Sequence, residues 1–199
     1  AVTDPYGTPQ IMTLLREKKL NPEDVPEKLL YLKDKSDTAV LDVCIKRFRE
    51  PVADGNGRTV PRVLFLAGKP DCGLPLHFRE IKEILRITRE DGWSVAHEMA
   101  SQGLLPESMM TEDILKLTDA SGCSVAYHAA WHDSLPNWAK RCKDILLLGD
   151  GQGEYVAYVL ARGGKLPLEM MTEDILKLTD KKGCFIAYHA VVWNLLPDW

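Results

Sequence analysis

The chain has 199 residues, none of them in an apolar run near the roughly 20 that a membrane span requires, and its N-terminus lacks a basic segment followed by an apolar one. Cysteine is scarce. Cys44, Cys72, Cys123, Cys142 and Cys184 are odd in number and include no Cys-x-x-Cys pair, which argues against both a disulfide framework and a zinc ribbon. No Lys/Arg run stands out, and the formal net charge is -4, so a broad phosphate-binding surface is not expected. The one glycine-rich stretch, GDGQG at 149–153, lacks the Lys-Ser/Thr that would follow in a phosphate loop. These absences predict a cytoplasmic protein with free thiols, no cofactor, no nucleic-acid partner and no membrane partner. With 45% hydrophobic and 27% charged residues, the composition is that of a chain with a packed core.

Internal similarity dominates what is present. MMTEDILKLTD occurs at 109–119 and again at 170–180, and a shift of 61 residues aligns Gly92–Trp138 with Gly153–Trp199 with 27 identities in 47 positions. A weaker period divides each block. Segments of similar pattern begin near Gly92, Gly122, Gly153 and Gly183, spaced by 30, 31 and 30 residues, and about thirteen residues after each glycine comes Leu-Pro. Self-similarity at such a period marks stacked helical units that share one continuous core.

Local chemistry points to two short antiparallel helices per unit. Ser94 and Ser124 sit where they cap a first helix, and Ala96, Ala100, Ala126 and Ala130 allow close approach of neighbours. Thr111 precedes Glu112 and Asp113, a cap followed by acids at the positive end of the helix dipole, so paired carboxylates there have a structural role. A divergent copy begins at Gly57, with its Leu74-Pro75 four residues late and an insertion near 69–72. Residues 29–47 resemble 175–193 in apolar spacing, with Asp37 at the glycine position, and read as a degenerate N-terminal cap. Thr8 and Pro9 open a further helix as N-cap and first residue. The expected division is an N-terminal helical region over 1–53 and units near Gly57, Gly92, Gly122, Gly153 and Gly183 over 54–199.

These residues resemble ankyrin repeats. The likeness rests on Asp119-x-x-Gly122, on Gly92-Trp93-Ser94-Val95-Ala96-His97, and on Gly68, Gly103 and Gly164 eleven positions after a turn glycine. It departs from the family in its period, about 30 against about 33 residues, and in the Val or Ile that replaces the family's proline; an unrelated helical solenoid would share the spacing. The resemblance implies an all-α solenoid of stacked antiparallel helix pairs with short turns and little or no sheet. His97 would then tie adjacent turns together through Ser94 or a backbone group.

The resemblance also implies that a partner protein is held by turn tips and by the exposed end of each first helix. Transferred position by position, this selects Glu90, Trp93 and Gln102; Ser121, Cys123, Trp131 and His132; Gln152, Glu154 and Arg162; and Lys181, Lys182 and Trp193. Three of the five tryptophans fall in this set, and tryptophan is the commonest hot-spot residue at protein interfaces. Cys123 with His128, and Cys184 with His189, make two Cys-x4-His pairs. A metal needs four converging ligands and a catalytic thiol needs an activating base, so these pairs are expected to be packing residues. The resulting expectation is a non-enzymatic module that binds and regulates or inhibits another protein. Its narrower form is a bacterial effector or phage-type inhibitor acting on a host protein, and its competitors are a cysteine-dependent enzyme and a scaffold that self-associates through its C-terminal end.

Overall fold

The computed structural model describes residues 2–4, 7–54, 57–69 and 73–193, and the chain forms two compact units, Ala1–Arg89 and Glu90–Trp199. Among the described residues it is mainly helical, with twelve helices and a single two-stranded sheet.

In the first unit, α1 (Gln10–Arg16) packs against α2 (Val40–Phe48). β1 (Pro51–Ala53) then turns back antiparallel to β2 (Thr59–Pro61), and α3 (Arg62–Ala67), α4 (Leu76–Arg79) and α5 (Lys82–Leu85) follow. Met12, Leu15, Leu30, Cys44, Phe48, Phe78 and Leu85 are fully buried. Phe48 and Phe78 meet edge to face at 5.0 Å, a geometry that aromatic quadrupoles favour. Arg47 is buried too and donates from its guanidinium to the Leu15 carbonyl, 2.6 Å away. The expected opening of α1 shifts by one residue: Pro9 is itself the N-cap, and the Thr8 N–H goes to Asp4 Oδ1 at 2.8 Å. This short sheet, in which Val52 lies opposite Val60, is within the little or no sheet expected.

The second unit contains α6 (Val95–Ala100), α7 (Glu112–Leu115), α8 (Val125–Trp131), α9 (Lys143–Leu146), α10 (Val156–Arg162), α11 (Glu173–Leu176) and α12 (Ile186–Val192). Here α6 packs on α8, α8 on α10 and α10 on α12. Ala126, Ala129, Ala157, Ala161 and Ala190 are fully buried at these contacts, where only a methyl group separates the backbones. The Thr-Glu-Asp segments form less helix than their sequence implies. Each is a 3-10 turn, Glu107–Met109 or Leu168–Met170, followed by a single helical turn, α7 or α11. The break is at Thr111 and Thr172, which are extended at ψ 161 and 158, so each threonine begins a new helix and its hydroxyl bonds to Asp113 or Asp174.

One turn recurs along the chain. Asp119 Oδ1 accepts the N–H groups of Ser121 and Cys123, both at 2.9 Å, while Thr118 bridges to Ser124. Asp150 does the same for Gln152 and Glu154, and Asp180 for Lys182 and Cys184. In the first unit Asp34 bonds to Ser36 and Thr38 in the same way. The fourth residue takes a left-handed conformation, with φ of 84 at Gly122, 97 at Gly153 and 77 at Gly183. Asp37, aligned with glycine from the sequence, does so at φ 64, which a short polar side chain tolerates.

Candidate functional site

The caps place the helices in register. Ser94 Oγ accepts the His97 N–H at 3.2 Å and Ser124 Oγ accepts the Tyr127 N–H at 3.2 Å, as their position before each helix predicts. His97 is fully buried. Its Nδ1 lies 2.7 Å from Ser94 Oγ and its Nε2 donates to the Cys123 carbonyl at 3.1 Å, so the ring ties the turn before α6 to the turn before α8. Burial holds this imidazole below its ordinary pKa, although the Cys123 carbonyl opposes the shift.

The same helix position carries a link in the next two segments. Tyr127 OH donates to Glu154 Oε2 at 3.1 Å, and Tyr158 OH donates to Asp180 Oδ2 at 3.0 Å while His189 Nε2 approaches it at 2.9 Å. Burial is the first cause that pushes both phenols up, and the neighbouring carboxylates add to it.

Around these links runs a row of aromatic and charged groups. Trp93 is half-buried; its indole N–H donates to Glu98 Oε2 at 2.9 Å, and its ring stacks on His97 at 5.3 Å and meets His128 edge-on at 5.0 Å. Gln102 donates to the other oxygen of the same carboxylate at 2.9 Å. Trp131, half exposed at 50%, stacks on Tyr127 at 6.3 Å and carries the Arg162 guanidinium over its face at 4.4 Å. Arg162 also faces Glu154, at 3.8 Å. Trp193, 53% exposed, donates its indole N–H to the Arg162 carbonyl at 3.0 Å. Beside Trp131 lies a cleft of about 160 Å³ lined by Asp133, Leu160, Arg162 and Lys165.

The thirteen residues selected from the sequence therefore separate into groups. Trp93 and Gln102 meet at Glu98, and Trp131, Glu154, Arg162 and Trp193 are connected through Arg162. His132 is exposed next to Trp131 in the chain and packs beside Gly103. Glu90, Ser121, Gln152, Lys181 and Lys182 are exposed at the turns, apart from that network. Cys123 does not reach the surface as selected: it is buried, because the Asp119 turn folds its side chain inward, and its Sγ lies 3.3 Å from His128 Nε2. Burial and the charges of Asp119 and Asp150 push the Cys123 thiol up to about 11, and burial pulls His128 down. Cys184 lies 3.9 Å from His189. Among the described residues no three or more His, Cys, Asp or Glu side chains group as a metal would require, and no helix is long and apolar enough to cross a membrane.

Position-by-position transfer passed over Glu98, Tyr127, Asp133 and Lys165. Tyr127 and Trp131 are four apart on one helix, the spacing that stacks side chains, and this was available as a signal. The Lys165 to Asp133 ion pair joins residues 32 apart, which no local pattern reveals.

No protein-family model matches the chain, and no curated protein matches it.

Proposed function

We propose that the chain is an ankyrin-like stack of short helical units whose work is to bind another protein, with the Trp131, Arg162 and Trp193 row as the principal contact. The observation that carries this reading is the pair of large, half-exposed indoles joined through one arginine. Tryptophan and arginine are the side chains most enriched in interface hot spots, and each here is already held in place, which reduces the entropy lost on binding. The cleft beside Trp131, with Arg162 and Lys165 at its rim, suits a partner that offers an apolar side chain flanked by an acid. Regulation or inhibition of that partner follows if the row covers a working surface, which is the form an effector or phage-type inhibitor would use.

Capture of partners from the native cell tests the reading. The wild-type chain is compared with Trp131→Ala/Arg162→Ala, with folding checked by circular dichroism and recovery measured by quantitative mass spectrometry. Loss of two hot-spot side chains should reduce recovery of the specific partner by tenfold or more, corresponding to at least about 1.4 kcal/mol. Equal recovery by both proteins rejects the row.

A competing enzyme reading has one observation in its favour, the 3.3 Å approach of Cys123 Sγ to His128 Nε2. It requires a thiolate, and the shifts of both groups oppose one.

A further inference from the structure

We infer that the cleft beside Trp131 reads a single carboxylate: its occupant is a segment of the partner protein in which an aliphatic side chain adjoins a glutamate or aspartate, with the aliphatic group in the cleft and the acid held by the guanidinium of Arg162. The inference deepens the partner-binding reading and rests on it.

The cleft lies between α8 and α10 and holds about 160 Å³. Pockets for whole small molecules begin near 300 Å³, so this one suits a single side chain of a larger ligand. Ala130, Val159 and Leu160 are buried and give it apolar walls, while Trp131, Arg162 and Lys165 stand at its exposed edge.

Arg162 is held in place without being used. One face of its guanidinium lies 4.4 Å from the Trp131 ring, and its carbonyl accepts the Trp193 indole N–H at 3.0 Å. The nearest acid is Glu154, at 3.8 Å, too far for a hydrogen bond, and the other oxygen of that carboxylate accepts the Tyr127 hydroxyl at 3.1 Å. Among the described residues no group accepts a hydrogen bond from this guanidinium. All of its N–H donors lie in the plane that the indole orients, so the edge of the fork stays open to a ligand, and a carboxylate is the planar partner that takes two parallel bonds from it.

The surrounding charges set how much negative charge the cleft accepts. Lys165 pairs with Asp133, and Lys140 approaches the same carboxylate at 4.0 Å. Three cations, Lys140, Arg162 and Lys165, face two anions, Asp133 and Glu154, which leaves one positive charge unmatched. One carboxylate balances it. A phosphoserine, with a charge of about -1.5 to -2 at neutral pH, would place surplus negative charge beside Asp133 and Glu154.

Titration of the 15N-labelled chain with acetylated, amidated pentapeptides tests this. The probes are Gly-Leu-X-Gly-Gly and Gly-X-Leu-Gly-Gly, with X as Glu, Gln or phosphoserine, added to about 10 mM while the Trp131 indole and Arg162 side-chain N–H signals are followed. In at least one frame the Glu peptide should bind about fivefold tighter than its Gln twin, and phosphoserine no tighter than Glu. Arg162→Gln and Arg162→Lys should both erase the preference for Glu, the lysine because it keeps the charge and loses the fork. Asp133→Asn should tighten the Glu peptide severalfold, since it removes a repelling charge and asparagine tolerates the left-handed backbone at φ 55. The backbone amide spectrum verifies that each variant folds. Equal affinity for Glu and Gln peptides, tighter binding of phosphoserine, a preference that survives in Arg162→Gln, or no shift of Trp131 with any peptide each overturns the inference. A cellular partner whose recovery falls in Trp131→Ala/Arg162→Ala while Glu and Gln peptides bind alike rejects this inference and keeps the binding reading; equal recovery of partners rejects both.

Discussion

His97, Cys123 and Arg162 show how much a single side chain's surroundings decide. His97 is buried with its imidazole held below the usual pKa, and the half-buried His128 is held down in the same direction, first by desolvation. The unfolded chain, with histidines near 6.5, therefore binds protons more readily than the folded one, so stability is complete above that pH and declines as the pH falls through it toward the folded values. Urea midpoints measured from pH 8 to 5 should fall with acidification, with a slope of up to about 1.4 kcal/mol per pH unit for each group. His97→Gln should reduce the slope even though it also lowers stability at pH 8. Cys123 should be nearly inert: with its thiol near 11, alkylation by iodoacetamide at pH 7.5 is expected to run roughly a hundredfold slower than for a free cysteine of pKa about 8.5, and to accelerate in urea. Rapid alkylation of the folded protein would revive the enzyme reading.

At the scale of elements, the aspartate turn is the unit of construction. One carboxylate satisfies two N–H groups, the fourth residue turns left-handed, and the N-cap residue of the next helix follows two residues later, as Ser124 follows Gly122. Successive turns touch directly. The Ser124 N–H donates to the Gly149 carbonyl at 2.9 Å, and a Cβ on Gly151, at φ 73, would overlap the Ser121 carbonyl oxygen. Gly151→Ala combines a left-handed conformation with a backbone collision and should cost at least about 2 kcal/mol of unfolding free energy in chemical denaturation. Gly153→Ala, whose Cβ would meet nothing within 4 Å, carries the conformational cost alone and should lose less. The contrast could not be read from GDGQG, where the two glycines look equivalent, because it depends on which of them faces the neighbouring turn.

On the scale of the molecule, ion pairs run laterally along the second unit: Lys116 to Asp144, Arg141 to Glu169, Lys143 to Asp174 and Lys165 to Asp133. Most of their side chains are half exposed, so screening leaves each a weak contributor. Raising sodium chloride from about 0.05 to 1 M should therefore move the melting temperature by no more than about 3 °C. A larger fall would show that these ladders, rather than the buried alanine and leucine contacts, hold the second unit together.

The sequence by itself determined that the chain is mainly helical, where its turns are and which serines cap helices, since these rest on spacing within a few residues or on an internal period; that His97 would bond to Ser94 or to a backbone group came from the ankyrin resemblance, and the structure shows it reaching both. The same period sets Asp37 at a glycine position, and its backbone there is left-handed, at φ 64. The sequence could not determine that α7 and α11 are cut to one turn, because the extended threonines compete with a strong local helix pattern. Nor could it bury Cys123 or bring Glu154, Arg162 and Trp193 together, since those outcomes depend on how one segment packs on the next about 30 residues away. Local hydrogen bonding is written in neighbouring residues; the exposure of an indole or a thiol is set by the surface that tertiary packing brings against it.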